Sequence, residues 1–271
     1  MKNIDFTILL MAFVMSIFNT EIFAQGTYAN LNVGYAVGMS TQSLQSNSIR
    51  NGNSTTHQLV NVSLGQGVNI GGAIGYMFNE NIGAELGLSY LFGDKSSSRD
   101  ASNNHTTDYT LSSRMLRIVP TVVIESGLEK LNPYAKFGLI IGYGSITDEY
   151  NDYNNGDITY QMIKSKSGAA LGISSALGFM LGLNENMLLF VELNSVNLSY
   201  SPERGEVMVA SYNGVDLLPS MTTKEKNIDY LDSYTSISGD PSPDSQPEQS
   251  LKQKFPYGSI GLNIGLKITL K

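Results

Sequence analysis

The sequence predicts an all-β protein, an eight-stranded antiparallel up-and-down β-barrel that crosses a membrane with its strands. Three observations predict this fold. Eight segments alternate apolar and polar residues with a period of two, which places successive side chains on opposite faces of a strand. Most of these segments are long enough for a tilted strand that crosses a bilayer, which needs ~9–11 residues. Long polar connections alternate with short turns along the chain.

Each of the first four predicted strands has bulky apolar residues on one face and small or polar residues on the other. The strands at 30–39, 68–78 and 82–92 place Leu, Ile, Val or an aromatic residue at nearly every second position, mostly with Gly, Ala, Asn or Ser between. The fourth, about 111–125, contains Pro120, which cannot donate a ladder hydrogen bond. We therefore expect a β-bulge at this proline.

The last four predicted strands lie at 136–144, 170–181, about 187–200, and 258–270. The seventh is the least regular, whereas the eighth alternates from Ile260 to Leu270 without interruption. Aromatic side chains collect near both ends of the apolar face, as expected at two membrane interfaces. They are Tyr76, Phe78 and Phe179 near the turns, and Tyr90, Phe92, Tyr143 and Tyr200 near the long connections.

The connection lengths indicate which ends of the strands lie together. Short turns follow the second, fourth and sixth strands, at 79–81, about 126–132, and 184–186. Long polar segments follow the first, third, fifth and seventh, at about 40–66, 93–110, 147–166 and 201–254. This alternation places every long loop at one end. Outer-membrane barrels have short periplasmic turns and longer extracellular loops, so we expect both termini in the periplasm.

Composition and the N-terminus fit a secreted β-protein. The 271 residues have 41% hydrophobic content, 15% charged residues, 27 Gly and a net charge of −7, with no Cys. The negative charge argues against a nucleic-acid partner, and the absence of Cys excludes disulfides and thiolate sites. Phe6–Phe18 is too short for a spanning helix and predicts a signal peptide at 1–24, followed by one barrel domain at 25–271. An N-terminal membrane anchor or a buried helix is the alternative.

The small, polar face must point into the barrel and carries a few charges. We expect a lumen charge cluster in which Glu85 and Glu192 accept hydrogen bonds from Arg117 and Lys136, with Lys267 near the end of the same face. An eight-stranded barrel is just wide enough for side chains to fill it. The cluster is therefore interpreted as packing that plugs the lumen; a gate or a narrow ion path is the alternative.

These features together resemble the OmpA/OmpX-like family of outer-membrane β-barrels, over essentially all of residues 26–271. The resemblance is carried by the signal peptide, the eight alternating strands, the loop rhythm and the lumen charges. It implies an integral protein of the outer membrane of a Gram-negative bacterium, in contact with outer-membrane lipid. No peptidoglycan-binding segment follows the barrel strands, so the resemblance concerns the barrel domain only.

Residues that could support catalysis or metal binding are few, and we predict no enzyme, no cofactor and no metal. The two histidines, His57 and His105, lie in Ser/Thr/Asn-rich segments without a nucleophile motif. The acidic segment at 148–157 could suggest calcium, but Gly156 falls at the wrong position for an EF-hand and no Glu closes the loop. Calcium binding there stays open.

The predicted function is structural or adhesion-like. The extracellular loops would contact host, matrix or neighbouring surface proteins, and the sequence does not identify the partner. The alternative is a narrow porin-like channel for ions or small solutes.

Overall fold

The computed structural model describes residues 26–39, 42–128, 130–236 and 243–270. The predicted signal peptide at 1–24 lies outside the described residues. Within them the strands are β1 Gly26–Gly38, β2 Gln42–Asn51, β3 Ser54–Val62, β4 Gly67–Met77, β5 Ile82–Gly93, β6 Ser96–Ser102, β7 His105–Glu125, β8 Leu131–Asn154, β9 Asp157–Lys166, β10 Ala170–Asn184, β11 Met187–Tyr200, β12 Arg204–Tyr212, β13 Val215–Asp216, β14 Asn227–Leu231, β15 Glu248–Leu251, β16 Phe255–Pro256 and β17 Ser259–Leu270. A 3₁₀ turn, Leu218–Ser220, and a short helix α1, Thr223–Lys226, lie between β13 and β14.

Eight of the described strands close into an antiparallel barrel, which confirms the predicted fold. They pair in the order β1, β4, β5, β7, β8, β10, β11, β17. The last strand then pairs with the first, from Thr27 opposite Leu270 to Gly38 opposite Ser259. Closure leaves no unpaired strand edge within the barrel, which is the condition for a sheet to span a membrane. None of the helices in the described ranges is long and apolar enough to cross a membrane.

The alternation predicted from the sequence divides the barrel into an apolar outer face and a packed interior. Outward side chains such as Leu31, Ile74 and Leu177 are 70%, 66% and 66% exposed, whereas inward ones such as Leu91 and Met115 are fully buried. In water an apolar belt of this extent would be unfavourable, whereas lipid covers it without cost. Tyr200, predicted at an outer interface, instead points inward and is fully buried, because the alternation of β11 keeps one phase up to its end.

The β-bulge predicted at Pro120 is absent. Pro120 pairs with Leu86 of β5 in a regular register. On the other side, the ladder to β8 stops after Ile118 opposite Ile141 and resumes at Thr121 opposite Gly138, with the register unchanged. Two residues of β7 are therefore unpaired with β8, but no extra residue is inserted, as a bulge would require. A side chain at Gly138 would place its Cβ 2.8 Å from the carbonyl oxygen of Pro120, so glycine permits this close approach.

The segments predicted as polar loops are mostly strands. β7 and β8, with 21 and 24 residues, continue past the barrel and remain paired up to His105 opposite Asn154. β6 pairs with the extended part of β7, β9 pairs with that of β8, and β12 adds to β9. β2 and β3 form a separate hairpin that touches β6. We call the end of the barrel that carries these hairpins the loop end and the opposite end the turn end.

Candidate functional site: the barrel lumen and its loop end

Charged side chains meet inside the barrel near the turn end. The Lys136 Nζ lies 3.2 Å from an oxygen of Glu85 and 3.5 Å from an oxygen of Glu192. Beside this group, the Nζ of Lys267 pairs with Glu125 at 2.5 Å. We call these five residues the lumen charge cluster. All of their charged groups are largely buried, so each carboxylate and each ammonium depends on partners inside the protein.

Neutral side chains complete the hydrogen bonding of the three carboxylates. The hydroxyl of Tyr28 donates to Glu85 at 2.9 Å, and the hydroxyl of Tyr134 donates to Glu192 at 2.8 Å. Amide groups donate as well, in three pairs: Asn30 to Glu85 at 3.2 Å, Asn263 to Glu192 at 2.9 Å, and Asn132 to Glu125 at 3.1 Å. A buried ionic network with its lone pairs occupied in this way is rigid, because each group has one low-energy position.

Aromatic rings close the space around the two lysines. The Nζ of Lys136 lies 5.2 Å from the ring centre of Tyr134 and 5.4 Å from that of Phe190. The Nζ of Lys267 lies 4.0 Å from the ring centre of Tyr28. These are cation–π distances. A cavity of only about 10 Å³ is left in this layer, room for a single water at most.

The four residues predicted to form the cluster are not all together. Glu85, Lys136 and Glu192 meet, but Arg117 does not join them; its Nη1 donates to Asn69 at 3.2 Å. Register explains the difference. Arg117 is level with Ser89, whereas Glu85 is level with Thr121, four residues and ~13 Å further along β7. The correct inward face was predicted, but not the height of each charge within the barrel.

Glu125 and Lys267 are the cluster members that the sequence prediction did not pair. Both lie on the inward face, and Lys267 was noted there, but the two residues are 142 positions apart. Glu125 is at the turn end of β7, and Lys267 is opposite Asn30 on β1 and Leu188 on β11. The only sequence signal is their shared inward parity, because the contact arises across the lumen and not along a ladder.

Above the charge cluster, the middle of the lumen holds a polar cavity of about 120 Å³. Small residues such as Gly87, Ala73 and Ser174 leave this space, and Asn32, Asn194 and Thr121 supply its hydrogen-bonding groups, with Glu85, Lys136 and Glu192 at its floor. A polar cavity of this size holds several waters, so this middle layer differs from the tightly packed layer beneath it.

At the loop end an apolar layer fills the lumen, partly with residues that the barrel strands do not supply. Val62 and Leu64 from the first long segment, and Tyr257 from the chain just before β17, are almost fully buried. They pack with inward residues of the barrel wall: Leu91, Met115, Ile140, Val196, Leu198 and Tyr200. Backbone bonds fasten both insertions, from the Leu64 amide to Pro256 and from the Tyr257 amide to Leu198, at 2.8 and 2.9 Å.

Two buried groups next to this apolar layer have unsatisfied polar atoms. Among the described residues, the Nε and Nη2 atoms of Arg117 and the hydroxyl of Tyr257 have no hydrogen-bond partner. Arg117 is 3% exposed, and among the residues that the structure describes it bonds to Asn69 alone. A guanidinium has five N–H donors, so the bond to Asn69 leaves the Nε and Nη2 donors without an acceptor in the described part of the chain.

The two histidines are on the exposed hairpins and are not arranged for catalysis. The Nε2 of His105 lies 2.6 Å from Asp152 and 3.3 Å from the hydroxyl of Thr107. Both contacts use the same nitrogen, whereas a hydroxyl–His–acid relay needs one on each nitrogen. The Nδ1 of His57 contacts the hydroxyl of Ser48 at 3.1 Å.

The acidic segment at 148–157 does not converge on one point. Three of its four carboxylates have separate partners: Lys95 for Glu149, Thr107 and His105 for Asp152, and Asn213 for Asp157. The hydrogen bond from Thr107 holds the pKa of the Asp152 carboxyl below its ordinary value, and His105 adds to this effect. In the described part of the chain, no group of three or more His, Asp or Glu side chains is positioned to hold a metal ion.

Solved structures of other proteins resemble this fold at low sequence identity. Neisserial surface protein A is 11% identical with a TM-score of 0.38, covering 91% of this chain and 99% of its own. CarO2 of Acinetobacter baumannii is 15% identical with a TM-score of 0.35, covering 91% and 99%. Ail, the attachment invasion locus protein of Yersinia pestis, is 10% identical with a TM-score of 0.29, covering 90% and 99%. No curated protein is a significant match to this sequence.

The family of this chain is assigned by a family model and not by these structures. The model of the outer membrane protein beta-barrel domain matches residues 6–220, well over half of the chain. The match agrees with the closed barrel of eight strands and its apolar outer face, and it confirms the resemblance drawn from the sequence. The chain therefore belongs to the outer membrane protein beta-barrel domain family and is an outer-membrane protein.

Proposed function

We propose that this protein is a non-conducting outer-membrane barrel that displays its hairpins as an interaction surface outside the cell. In this proposal residues 1–24 are a signal peptide, the turn end and both termini are periplasmic, and the loop end is extracellular. The observation that carries the proposal is a lumen filled by side chains below a group of ordered hairpins. Side chains pack both ends of the barrel, while β7 and β8 extend beyond it as an ordered ladder.

The packing of the lumen supports the absence of conduction. An ion that enters from the loop end meets the apolar layer around Tyr257, Leu91 and Met115, which are fully buried. Apolar constrictions exclude water and so block ions. An ion that enters from the turn end meets the lumen charge cluster, in which the space left is about 10 Å³. Passage needs both layers to rearrange.

The tips of the hairpins support the interaction role. Tyr153 and Ile158 are paired across the β8–β9 hairpin, and Tyr212 and Val215 are paired across the β12–β13 hairpin. These four side chains are between 43% and 64% exposed, and a hydrogen bond from the Ile158 amide to Asn213 joins the two tips. Tyr212 is opposite Thr159 on β9, so the two pairs lie on opposite faces of the sheet. Each face of the tips therefore carries an exposed apolar pair on a paired backbone, which another protein can contact.

Two measurements test this proposal. Purified protein in planar bilayers is expected to give no steady conductance, whereas Tyr257→Ala, which removes the central side chain of the apolar layer, is expected to raise open-channel activity. Epitope tags inserted after Gly156 and after Gly214, both turn residues with positive φ, are expected to be accessible to antibody on intact cells. Steady currents from the wild-type protein, or tags that antibody reaches only in lysed cells, would contradict the proposal.

The second candidate is a narrow channel, and the polar cavity of about 120 Å³ in mid-lumen favours it. That cavity already has the hydrogen-bonding groups and charges of an ion path, and only the two end layers separate it from solvent. Wild-type currents that depend on the charge of Lys136, and so change in ion selectivity in Lys136→Met, would establish this candidate in place of the first.

A further inference from the structure

Two neighbouring cavities lie between the hairpins at the loop end, beyond the cavities of the barrel lumen. The larger, about 270 Å³, lies between the first long segment, the β7–β8–β9 ladder and the last long segment. Its wall is mostly apolar, with Leu111, Ile146 and Phe255 among its lining residues. The smaller, about 220 Å³, lies further out along the same ladder. Asp148 and Ile163 line both, and we call the two cavities together the loop pocket.

Asp148 is the one acidic residue that lines the loop pocket within the described part of the chain. It is level with Leu111 on β7 and with Ile163 on β9, so its side chain projects among apolar neighbours. Its carboxylate makes no hydrogen bond or ion pair with any residue that the structure describes. The other carboxylates of this segment have such partners, including Lys95 for Glu149. Asp148 is exposed, so this unpaired carboxylate lies at the rim of the loop pocket, where a cation from solvent can reach it.

The outer part of the loop pocket offers further groups for a cation. The rings of Tyr109 and Tyr150 lie 5.3 Å apart, inclined at 55°, and both line the smaller cavity beside Asp148. Gln161 supplies an amide there. Tyrosine rings attract a cation over their faces, most strongly where water is partly excluded. Partial desolvation by the apolar neighbours raises the pKa of the Asp148 carboxyl, and no cationic side chain among the described residues pairs with it.

We propose that the loop pocket binds a small organic cation, a primary amine carried on an apolar body. The ammonium group pairs with Asp148 beside Tyr109 and Tyr150, and the apolar body occupies the larger cavity against Leu111 and Phe255. Both volumes are slightly below the ~300–1,000 Å³ of sites for drug-sized ligands, so the ligand is the size of an arylalkylamine. Anionic ligands are excluded by the carboxylate, and neutral ones leave it unpaired.

The test compares three ligands of similar shape on the full mature chain in lipid nanodiscs. The ligands are 2-phenylethylamine, 2-phenylethanol and 3-phenylpropanoate, with binding followed by saturation-transfer NMR and titration calorimetry. The amine is expected to bind at least tenfold more tightly than the alcohol, because a charge-assisted hydrogen bond is worth about that factor, and the anion is expected not to bind. Equal binding of amine and alcohol would overturn the proposal.

Variants assign the preference to the loop pocket. Asp148→Asn is expected to abolish the preference for the amine over the alcohol and to fold normally, because it removes an unpaired charge. Asp157→Asn makes the same change of charge at the β8–β9 turn, six residues and ~20 Å along β9 from Ile163, and is expected to keep the preference. An amine preference that survives in Asp148→Asn would refute the assignment. None of these results depends on conductance or on tag accessibility, so this inference and the proposed function can fail separately.

Discussion

Replacing Lys136 by methionine tests whether the lumen charge cluster holds the barrel together. Lys136 is the shared cation of Glu85 and Glu192, and the side chains of all three are at most 15% exposed. Methionine keeps the length and apolar stem of lysine but removes its charge. The two carboxylates then face one another in the lumen without their cation, next to the polar cavity of about 120 Å³ but largely buried from bulk water.

The magnitude follows from the contacts. Each ion pair is worth about 4 kcal/mol of Coulomb energy at an effective dielectric constant of about 20. Lys136→Met loses both pairs, but it no longer has to bury an ammonium group, which offsets part of the lost energy. The hydrogen bonds from Tyr28 to Glu85 and from Tyr134 to Glu192 remain. Breaking a buried pair on one side costs about 3–5 kcal/mol, and we expect Lys136→Met to lower the free energy of unfolding by that amount.

Lys95 provides the matched control, because its Nζ also lies 3.0 Å from a carboxylate, that of Glu149, but its side chain is 64% exposed. Lys95→Met is expected to cost at most about 1 kcal/mol. The triple variant Lys136→Met with Glu85→Gln and Glu192→Gln removes all three charges together, and we expect it to recover most of the lost stability, since no carboxylate is left without its cation.

The assay is urea unfolding of the protein refolded into liposomes, followed by gel mobility and by tyrosine fluorescence, since the chain has 15 Tyr and no Trp. This expectation is contradicted if the free energies of unfolding of Lys136→Met and Lys95→Met differ by less than about 1 kcal/mol, or if the triple variant is less stable than Lys136→Met alone. Either result would mean that the charges in the lumen are solvated and contribute as surface charges do.

Three further predictions concern other parts of the chain. Gly75→Ala places a Cβ 2.3 Å from the ring of Tyr28, so we expect a loss of about 1–3 kcal/mol by overpacking in the same unfolding assay; no loss would show that Tyr28 is not held against this strand. Leu177 is 66% exposed on the outer face, so Leu177→Lys puts a charge against lipid and should lower the free energy of unfolding in liposomes by about 2–4 kcal/mol. A loss near zero would place this position outside the bilayer core. Thr107 donates to the Asp152 carboxyl, so carbon-detected NMR should give this carboxyl a pKa below that of an ordinary aspartate. Its contribution to hairpin stability is then complete above the ordinary pKa and is lost as the pH falls through the lowered pKa. A midpoint at or above the ordinary pKa would contradict the hydrogen bond.

The barrel strands were predictable because alternation is a local property. The outward face of β17 is read directly from every second residue, and contact with lipid or lumen follows from that parity. These outward residues are exposed except Ile260, which is half-buried near the start of the strand. The same parity assigns Glu85, Lys136 and Glu192 to the interior. It failed where its period was least regular, so Tyr200 was placed on the outer face and lies instead in the apolar layer.

The height of each inward charge was not predictable, because it depends on the stagger between strands. Arg117 and Glu85 have the same inward parity, but the register of β5 against β7 separates them by four residues. Lys267 and Glu125 come together because the barrel closes and brings β7 and β17 to face one another across the lumen. The polar segments were expected to be loops because their composition is polar, but strand pairing satisfies polar backbones as well as water does.

The sequence by itself determined the number of barrel strands, their direction, their lipid-facing sides and the end at which the hairpins stand. These properties depend on the period of two and on connection length, which are fixed along the chain. The tertiary structure alone decided which charges pair, that Val62, Leu64 and Tyr257 fold into the lumen, and that Asp148 faces a pocket without a partner. Those contacts join residues far apart in sequence, and their distances are set by register and closure, which have no local signature.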